Sequence, residues 1–147
     1  MKLLKKLLAF MILLFLIACG YLGYKGYQEY ETALSAMSME EMEHKIQSIG
    51  NYTKLEDLPE TYVKAVLAVE DKRFYRHFGI DLIATCRALV NDIKAMAPVE
   101  GGSTITQQLA KNQYFSQEKK VTRKIAELFM AFKMEQSFTK DQIWECM

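Results

Sequence analysis

The amino-acid sequence predicts an all-α domain carried on one N-terminal transmembrane helix. Residues 7–24 form eighteen consecutive positions without a charged side chain, a length that can cross a bilayer core as a helix. Later segments repeat apolar residues at the spacing of one helix face, and two helix starts carry the Thr-x-x-Gln pattern of a capping box. We divide the chain into a cytoplasmic tip and membrane anchor (1–24), a polar juxtamembrane segment (25–57) and the domain itself (58–147).

The residues around the apolar run predict its orientation in the membrane and whether it is cleaved. Three lysines precede the run, and lysines beside a membrane span tend to stay in the cytoplasm, so we expect the domain on the outer face. Two alternatives stay open: a cleaved secretory signal, whose apolar run usually has about 7–15 residues, and lipid modification of Cys19 after a Leu-Ile-Ala sequence. Apolar character that continues to Tyr24 favours an uncleaved span. The three lysines are Lys2, Lys5 and Lys6.

Composition excludes several kinds of site. The net charge of +1 gives no overall attraction to nucleic acid, so any electrostatic site must be local. The three cysteines are widely spaced and contain no CxxC pair, which excludes a recognisable zinc site or disulfide framework. The juxtamembrane segment indicates a short charged helix and a turn at Gly50-Asn51; we expect His44 to be solvated and assign this segment no chemistry.

A central helix is predicted to begin at Leu58-Pro59, because proline is tolerated in a first helical turn. Its apolar residues follow one face, and Glu70 falls on that stripe, whereas Asp71 is expected to point toward water. A buried carboxyl group has a raised pKa, which suits a general base near neutral pH. The alternative is a buried ion pair without chemistry. The apolar residues of the stripe are Val63, Val66, Leu67 and Phe74.

A second helix is predicted after Gly79. Asp81 is placed to cap its N-terminus, and Ala97-Pro98 is placed to end it. Four residues share one apolar face, so we expect that face, including Cys86, to pack in the core. These residues are Leu82, Cys86, Leu89 and Ile93.

The stretch after Pro98 combines a glycine-rich loop with a polar helix start. Gly101 and Gly102 permit close backbone approach, and Thr104 with Gln107 has the spacing of a capping box. A helix N-terminus attracts anions, although a plain loop and cap explain the same letters. Four polar residues are expected to cover one side of the helix and could bind sugar hydroxyls or phosphate oxygens. They are Gln107, Gln108, Lys111 and Asn112.

A basic cluster precedes the next helix, which we predict from Thr122 to about Gln136. Apolar residues occupy both sides of this helix, so we expect it to be buried with Glu127 inside. An Arg123–Glu127 ion pair is the structural alternative. A last helix should start at the Thr139–Gln142 capping box and needs a partner surface, because two turns are not stable alone. The cluster is Lys119, Lys120, Arg123 and Lys124.

Three ordered motifs together resemble the peptidoglycan glycosyltransferase family, the transglycosylase domain of class A penicillin-binding proteins and of monofunctional transglycosylases. The motifs are Glu70-Asp71-x-x-Phe74-x-x-His77-x-Gly79, the stretch 101–112, and Arg123-Lys124-x-x-Glu127. The resemblance implies a lysozyme-like helical fold. It also implies polymerisation of lipid II into glycan strands at the outer face of a bacterial cell membrane, by inverting attack of an acceptor 4-hydroxyl with undecaprenyl pyrophosphate leaving.

The resemblance assigns roles to individual residues. Glu70 matches the catalytic base, and Glu127 matches a second glutamate that assists the departing pyrophosphate. The sequence requires no cofactor, although a divalent cation (Mg²⁺ or Mn²⁺) would fit at the pyrophosphate. The implied partners are lipid II, the growing strand, the cytoplasmic membrane and other cell-wall synthases, with no nucleic acid. The implied substrate-binding residues are Asp71, Phe74, His77, Ser103, Thr104, Gln107, Gln108, Lys111, Asn112, Arg123 and Lys124.

One departure from the family pattern keeps two alternatives open. A fourth motif begins at Lys140, with Trp144 where the family has leucine, and the chain ends at Met147 before completing it. We therefore expect an incomplete domain, lacking the fifth motif and any transpeptidase domain. The alternatives are an inactive fragment that binds lipid II or a synthase, and a lysozyme-like hydrolase with Glu70 as its acid. The basic cluster disfavours the hydrolase, which has no pyrophosphate to bind.

Overall fold

A computed structural model describes residues 2–97 and 101–147, and this part of the chain contains helices and no strand. The elements confirm the predicted all-α class. Two single turns of 3₁₀-helix lie at Leu55–Asp57 and Phe74–Arg76. The α-helices are α1 (Lys2–Ala36), α2 (Met39–Gln47), α3 (Glu60–Glu70), α4 (Leu82–Ala95), α5 (Ile105–Tyr114), α6 (Val121–Ser137) and α7 (Lys140–Glu145).

Helix α1 is one continuous helix that runs from the predicted membrane anchor into the domain. It is long and apolar enough to cross a membrane, and its apolar first half is exposed. Its second half packs against α6, and Gly26 is its one buried residue. A helix that could span a membrane is therefore present at the predicted anchor, and it continues beyond residue 24 into the domain.

The core of the domain lies between α2, α5, α6 and α7. Helix α2 belongs to the segment expected to be polar, yet three of its apolar residues, at i, i+3 and i+7, share one face and are buried. A capping box formed by Ser38 and Glu41 starts this helix. As predicted, His44 is exposed. The buried core residues from these four helices are Met39, Met42, Ile46, Ile105, Leu109, Ala110, Met130, Met134, Ile143 and Trp144.

Helix α6 agrees with its predicted range and encloses Glu127, whose exposed fraction is 1%. Its two faces differ more than the sequence suggested. The face with Met130 and Met134 is fully buried, whereas Phe129 and Phe132 remain 37% and 40% exposed.

Helix α7 packs against α5, α6 and the 3₁₀ turn at Leu55–Asp57, which supply the partner surface that so short a helix requires. Thr139 and Gln142 form the predicted capping box. The side chain of Glu145 accepts hydrogen bonds from the Tyr52 hydroxyl at 2.9 Å and from the backbone N–H of Leu55 at 2.9 Å. These bonds join the end of the chain to the segment that leads into α3.

Helices α3 and α4 are much less buried than predicted. Helix α3 starts after Pro59 as expected but contains no buried residue. The apolar face predicted for the interior of α4 is exposed, including Cys86, so that prediction is wrong. The opposite face of α4 turns inward because its small residues allow the 101–104 loop to approach: a Cβ on Gly102 would lie 3.2 Å from the Ala88 side chain. The helix ends at Ala95, with Met96 in the left-handed region (φ 50°); the predicted break at Pro98 lies outside the described residues.

Candidate active site

A cleft of about 440 Å³ lies where α3, α4 and the start of α5 meet. It is lined by the end of α3 with the following Asp71–Arg73 turn, by one face of α4, and by the loop at 101–104 with Gln108. Three of its lining residues are basic, namely Lys72, Arg73 and Arg87. The cleft thus joins the first two sequence motifs.

Glu70 lies at the edge of this cleft and is exposed, so its predicted burial is wrong. The cause is the end of α3: Glu70 is the last helical residue, and the chain leaves the helix at Asp71 (φ −156°, ψ 78°). Periodicity predicts burial only while the helix and its partner surface continue. The Glu70 carboxylate accepts a hydrogen bond from Gln108 Nε2 at 2.9 Å.

Asp71 is the buried acid of this motif, 6% exposed, which corrects the expectation that it faces water. Its carboxylate lies 2.9 Å from His77 Nε2 and accepts a hydrogen bond from the backbone N–H of Ile105 at 3.1 Å. Ile105 begins α5, the helix that also carries Gln108. Asp71 therefore ties the end of α3 to the helix that contacts Glu70.

Three further predicted site residues are engaged inside the protein. Phe74 is 1% exposed and belongs to the core, with Lys140 Nζ 4.4 Å from its ring centroid. Thr104 and Gln107 form the predicted capping box of α5, and Thr104 Oγ1 donates to the Gly79 carbonyl at 2.7 Å. These residues fix the loop and helix that line the cleft; their direct contact with a substrate stays a prediction.

The polar surface of α5 is smaller than the sequence indicated. Gln108 and Lys111 are half-buried and Asn112 is exposed, at the i, i+3 and i+4 positions of one face. Gln107 does not belong to this surface because it is only 3% exposed and turns back to cap the helix.

The third motif forms a network of charges that reaches the cleft through Ser103. Lys124 Nζ donates to Ser103 Oγ at 2.8 Å and lies 3.0 Å from Glu127 Oε2. Arg123 pairs with the other oxygen of the Glu127 carboxylate, so the predicted Arg123–Glu127 pair is present. Burial, followed by repulsion from the charges of Arg123 and Lys111, lowers the pKa of Lys124. The network therefore brings several positive charges close together at the edge of the cleft.

The basic residues that line the cleft were not predicted from the sequence. Lys72 and Arg73 lie at unassigned positions of the first motif, and Arg87 lies on the face of α4 opposite the one predicted to pack in the core. Arg73 forms an ion pair with Asp81, which also caps α4 as predicted by accepting from Ala84 N–H at 2.7 Å. Arg87 lies three residues after Ala84, so the two residues share a helix face, and this face meets the glycine-rich loop across the cleft. That spacing is the signal that could have indicated Arg87.

The described residues give one candidate set of metal ligands, and it does not fit a divalent cation. Asp71, His77 and Asp81 bring ligand atoms within 4.8 Å of one another. However, the Arg73 guanidinium already engages Asp81, and Asp71 accepts the N–H of Ile105. A cation there would compete with a side chain of its own charge. The Mg²⁺ or Mn²⁺ at the pyrophosphate stays a prediction that this donor set does not support.

Comparison with known proteins confirms the resemblance. The sequence model of the family described as Transglycosylase matches residues 36–146. Penicillin-binding protein 1A of Neisseria cinerea is 52% identical over 94 residues, and that of Aquifex aeolicus is 45% identical over 94 residues. These alignments cover 64% of this chain but only 12% and 13% of the relatives, so the chain spans a small part of their length.

The match to the family extends over most of the chain. It includes Glu70 at the cleft, the glycine-rich loop that carries Ser103, and the buried Glu127 with its cations. It also includes α2, whose apolar residues lie in the core. The chain therefore belongs to the Transglycosylase family, whose members are glycosyltransferases.

Proposed function

We propose that this chain polymerises lipid II into glycan strands at the outer face of the cytoplasmic membrane. The observation that carries the proposal is the placement of an accessible carboxylate, Glu70, on the same cleft as Ser103, to which the Lys124–Glu127 network is bonded. Both parts that the reaction needs, a proton acceptor and a cationic site for a diphosphate, thus adjoin one cavity.

Glu70 is the proposed base for the acceptor sugar. Gln108 donates to Oε2 and orients the carboxylate. Within the described part of the chain, Oε1 accepts no hydrogen bond, so it is the oxygen that takes the proton from the attacking 4-hydroxyl. Because Glu70 is exposed in the free protein, its desolvation follows substrate binding, when the two sugars fill the cleft and exclude water.

Lys124, Arg123 and Lys111 are the proposed partners of the leaving pyrophosphate. Departure of undecaprenyl pyrophosphate develops negative charge, which fixed cations stabilise in a partly water-excluded site. The lowered pKa of Lys124 reflects burial and repulsion within this cluster, and a bound anion would relieve the repulsion. Glu127 holds Arg123 and Lys124 in place and is 1% exposed. Its proposed role is to orient the cations.

The membrane helix fits this substrate. A lipid-linked donor lies in the bilayer, and α1, which is long and apolar enough to cross a membrane, supports a domain held beside that bilayer. The lysines that precede the span favour an N-terminus in the cytoplasm, which supports a cleft on the outer face. A hydrolase acting on finished glycan would have no diphosphate to bind, so the cationic network favours the transferase.

The test is synthesis of polymer from labelled lipid II by the detergent-solubilised full chain. We expect wild type to form polymer and Glu70→Gln to lose about 100-fold or more of the rate, the usual contribution of a general base. Glu60→Gln is the matched control, because Glu60 lies on the same helix in an exposed pair with Lys64, and it should retain the wild-type rate.

Three outcomes would contradict the proposal. Equal rates for wild type and Glu70→Gln would remove Glu70 as the base. Cleavage of preformed glycan strands without polymer synthesis would identify a hydrolase. Binding of labelled lipid II without turnover by wild type would identify an inactive fragment.

A further inference from the structure

We infer that the rigid contact between α1 and α6 sets the height of the cationic site, formed by Lys111, Arg123 and Lys124, above the membrane surface. The inference rests on the proposed function, because it concerns the site for the lipid-linked diphosphate. It assigns a positioning role to Gly26 and to the residues that it touches on α6. The third sequence motif lies on α6, but the motifs gave no role to the contact of α6 with α1.

The contact is closest at Gly26, where the two helices meet with no room for a side chain. A Cβ placed on Gly26 would lie 2.5 Å from Ile125 Cγ2 and 2.9 Å from the Thr122 carbonyl oxygen. The second of these atoms belongs to the backbone, so it cannot move aside as the end of a flexible side chain would. Any larger residue at position 26 must therefore push the two helices apart.

Polar and aromatic contacts continue the interface along α1. Thr122 Oγ1 donates to the Glu29 carboxylate at 2.6 Å. About two turns further along α6, Phe129 contacts the rings of Tyr27 and Tyr30, with centroids 5.4 Å and 5.9 Å apart. The contact residues on α6 follow the i, i+3, i+7 spacing of a single face, so the two helices are joined over about two turns.

The charges of α6 lie on a different side of the same two turns. Arg123 follows Thr122 directly, and Glu127 lies between Ile125 and Phe129 with its carboxylate buried. A displacement of α6 against α1 would therefore carry Arg123, Lys124 and Glu127 with it. The cations cannot shift independently, because both are paired with Glu127.

The interface begins immediately beyond the predicted membrane span. The charge-free run ends at Tyr24, and Gly26 follows two residues later, which is about 3 Å along a helix axis. Because α1 is continuous from Lys2 to Ala36, no hinge separates the span from the contact. The depth of α1 in the bilayer thus fixes the height of the cations, and a ligand whose diphosphate is held at the membrane surface depends on that height.

The experiment compares a membrane-held ligand with a soluble one on the same protein. The full chain is placed in nanodiscs, and its affinity is measured for undecaprenyl pyrophosphate in the disc and for inorganic pyrophosphate in solution. Gly26→Leu should weaken binding of the lipid-linked ligand by about tenfold or more, since small displacements of a site have effects of this order. Its affinity for inorganic pyrophosphate should stay within about twofold, because the cations remain paired with Glu127.

Gly23→Leu is the matched control, because it adds the same side chain one turn earlier on α1, where nothing lies within 4 Å of the added Cβ. It should leave both affinities unchanged. Thr122→Val provides a milder test that adds no bulk: it removes the hydrogen bond to Glu29 and should weaken binding of the lipid-linked ligand alone, by about threefold.

Each remaining outcome overturns the inference. If Gly26→Leu leaves both affinities unchanged, the interface does not set the height of the site. If it abolishes both, the interface supports the folding of α6 and has no separate role in depth. Failure of the proposed function is distinguishable, because it is seen in the wild-type protein itself, which would then form no polymer from labelled lipid II whatever the two affinities are.

Discussion

Glu70 and Glu127 belong to two regions of the domain that are built in different ways. Glu127 lies in the packed half, formed by α2, α5, α6, α7 and the second part of α1, where both of its carboxylate oxygens are paired and 1% of the residue is exposed. Glu70 lies in the open half, formed by α3, the 71–81 segment and α4, where it is exposed. The difference separates a carboxylate that fixes charges from one that is free to meet a substrate.

The two halves also differ in how much apolar packing and how much hydrogen bonding hold them. Apolar burial holds the packed half, whereas α3 contributes no buried residue and α4 contributes only Ala88. Phe74 joins the open half to the core, and the half-buried Val63, Val66 and Leu67 pack against that core. Buried hydrogen bonds add to this attachment: Asp71 accepts from Ile105 N–H, and Gly79 accepts from Thr104 Oγ1. The cleft therefore forms along a polar junction, where side chains can be charged without occupying a hydrophobic core.

The largest effect on stability is expected in the packed half. Glu127→Gln removes a buried charge and leaves Arg123 and Lys124 without a counter-ion, so the free energy of unfolding should fall by about 3 kcal/mol. Urea denaturation of the detergent-solubilised chain, followed by circular dichroism, measures this change. Glu118→Gln is the control, because that exposed glutamate is paired with Lys120 at the surface and should change stability by less than about 0.5 kcal/mol. Equal effects of the two substitutions would show that burial does not distinguish Glu127.

An intermediate effect, dependent on pH, is expected in the open half. Hydrogen bonding from the Arg73 guanidinium and the N–H of Ala84 lowers the pKa of Asp81 to about 2. A lowered carboxyl pKa contributes stability that is fully present above the unfolded-state pKa of about 4 and is lost as pH falls through about 2. Asp81→Asn keeps a good helix cap but loses the ion pair, so it should destabilise by about 2 kcal/mol at pH 7.

The difference between wild type and Asp81→Asn is the quantity to follow across pH. It should remain constant from pH 7 to about 5 and shrink between about pH 4 and pH 2. Taking the difference cancels the titration of the other carboxylates. A difference that does not vary with pH would show that the charge of Asp81 does not stabilise the folded chain, and the Arg73 pair would then contribute nothing to the open half.

The sequence predicted the packed half well because local rules decide it. The capping boxes at Thr104 and Thr139 require only side chains within one helical turn, and both are present. The burial of Glu127 followed from apolar residues on both sides of a long helix, which leave little of its surface for water. The charge-free run predicted a helix able to span a membrane from length and composition, but not its continuation to Ala36, where the helix contacts α6.

The open half was predicted poorly because its arrangement depends on contacts between distant segments. The orientation of α4 is set by the approach of the glycine-rich loop to Thr85 and Ala88, and small residues give no signal in an apolar periodicity. The exchange of Glu70 and Asp71 between water and the interior follows from the end of α3 and from the N–H of Ile105, thirty-four residues beyond Asp71. Neither fact is present in a helical pattern that stops at residue 70.

The smallest effect on stability should therefore come from the residue with the largest expected effect on catalysis. Glu70→Gln removes a charge from an exposed side chain, and the remaining amide can still contact Gln108, so the free energy of unfolding should change by less than about 0.5 kcal/mol. The denaturation experiment used for Glu127→Gln measures this value on the same scale. If Glu70→Gln were as destabilising as Glu127→Gln, Glu70 would be a structural acid, and the open half would not supply an accessible base. Loss of polymer synthesis with unchanged stability would instead place the two glutamates in the separate roles that their surroundings indicate.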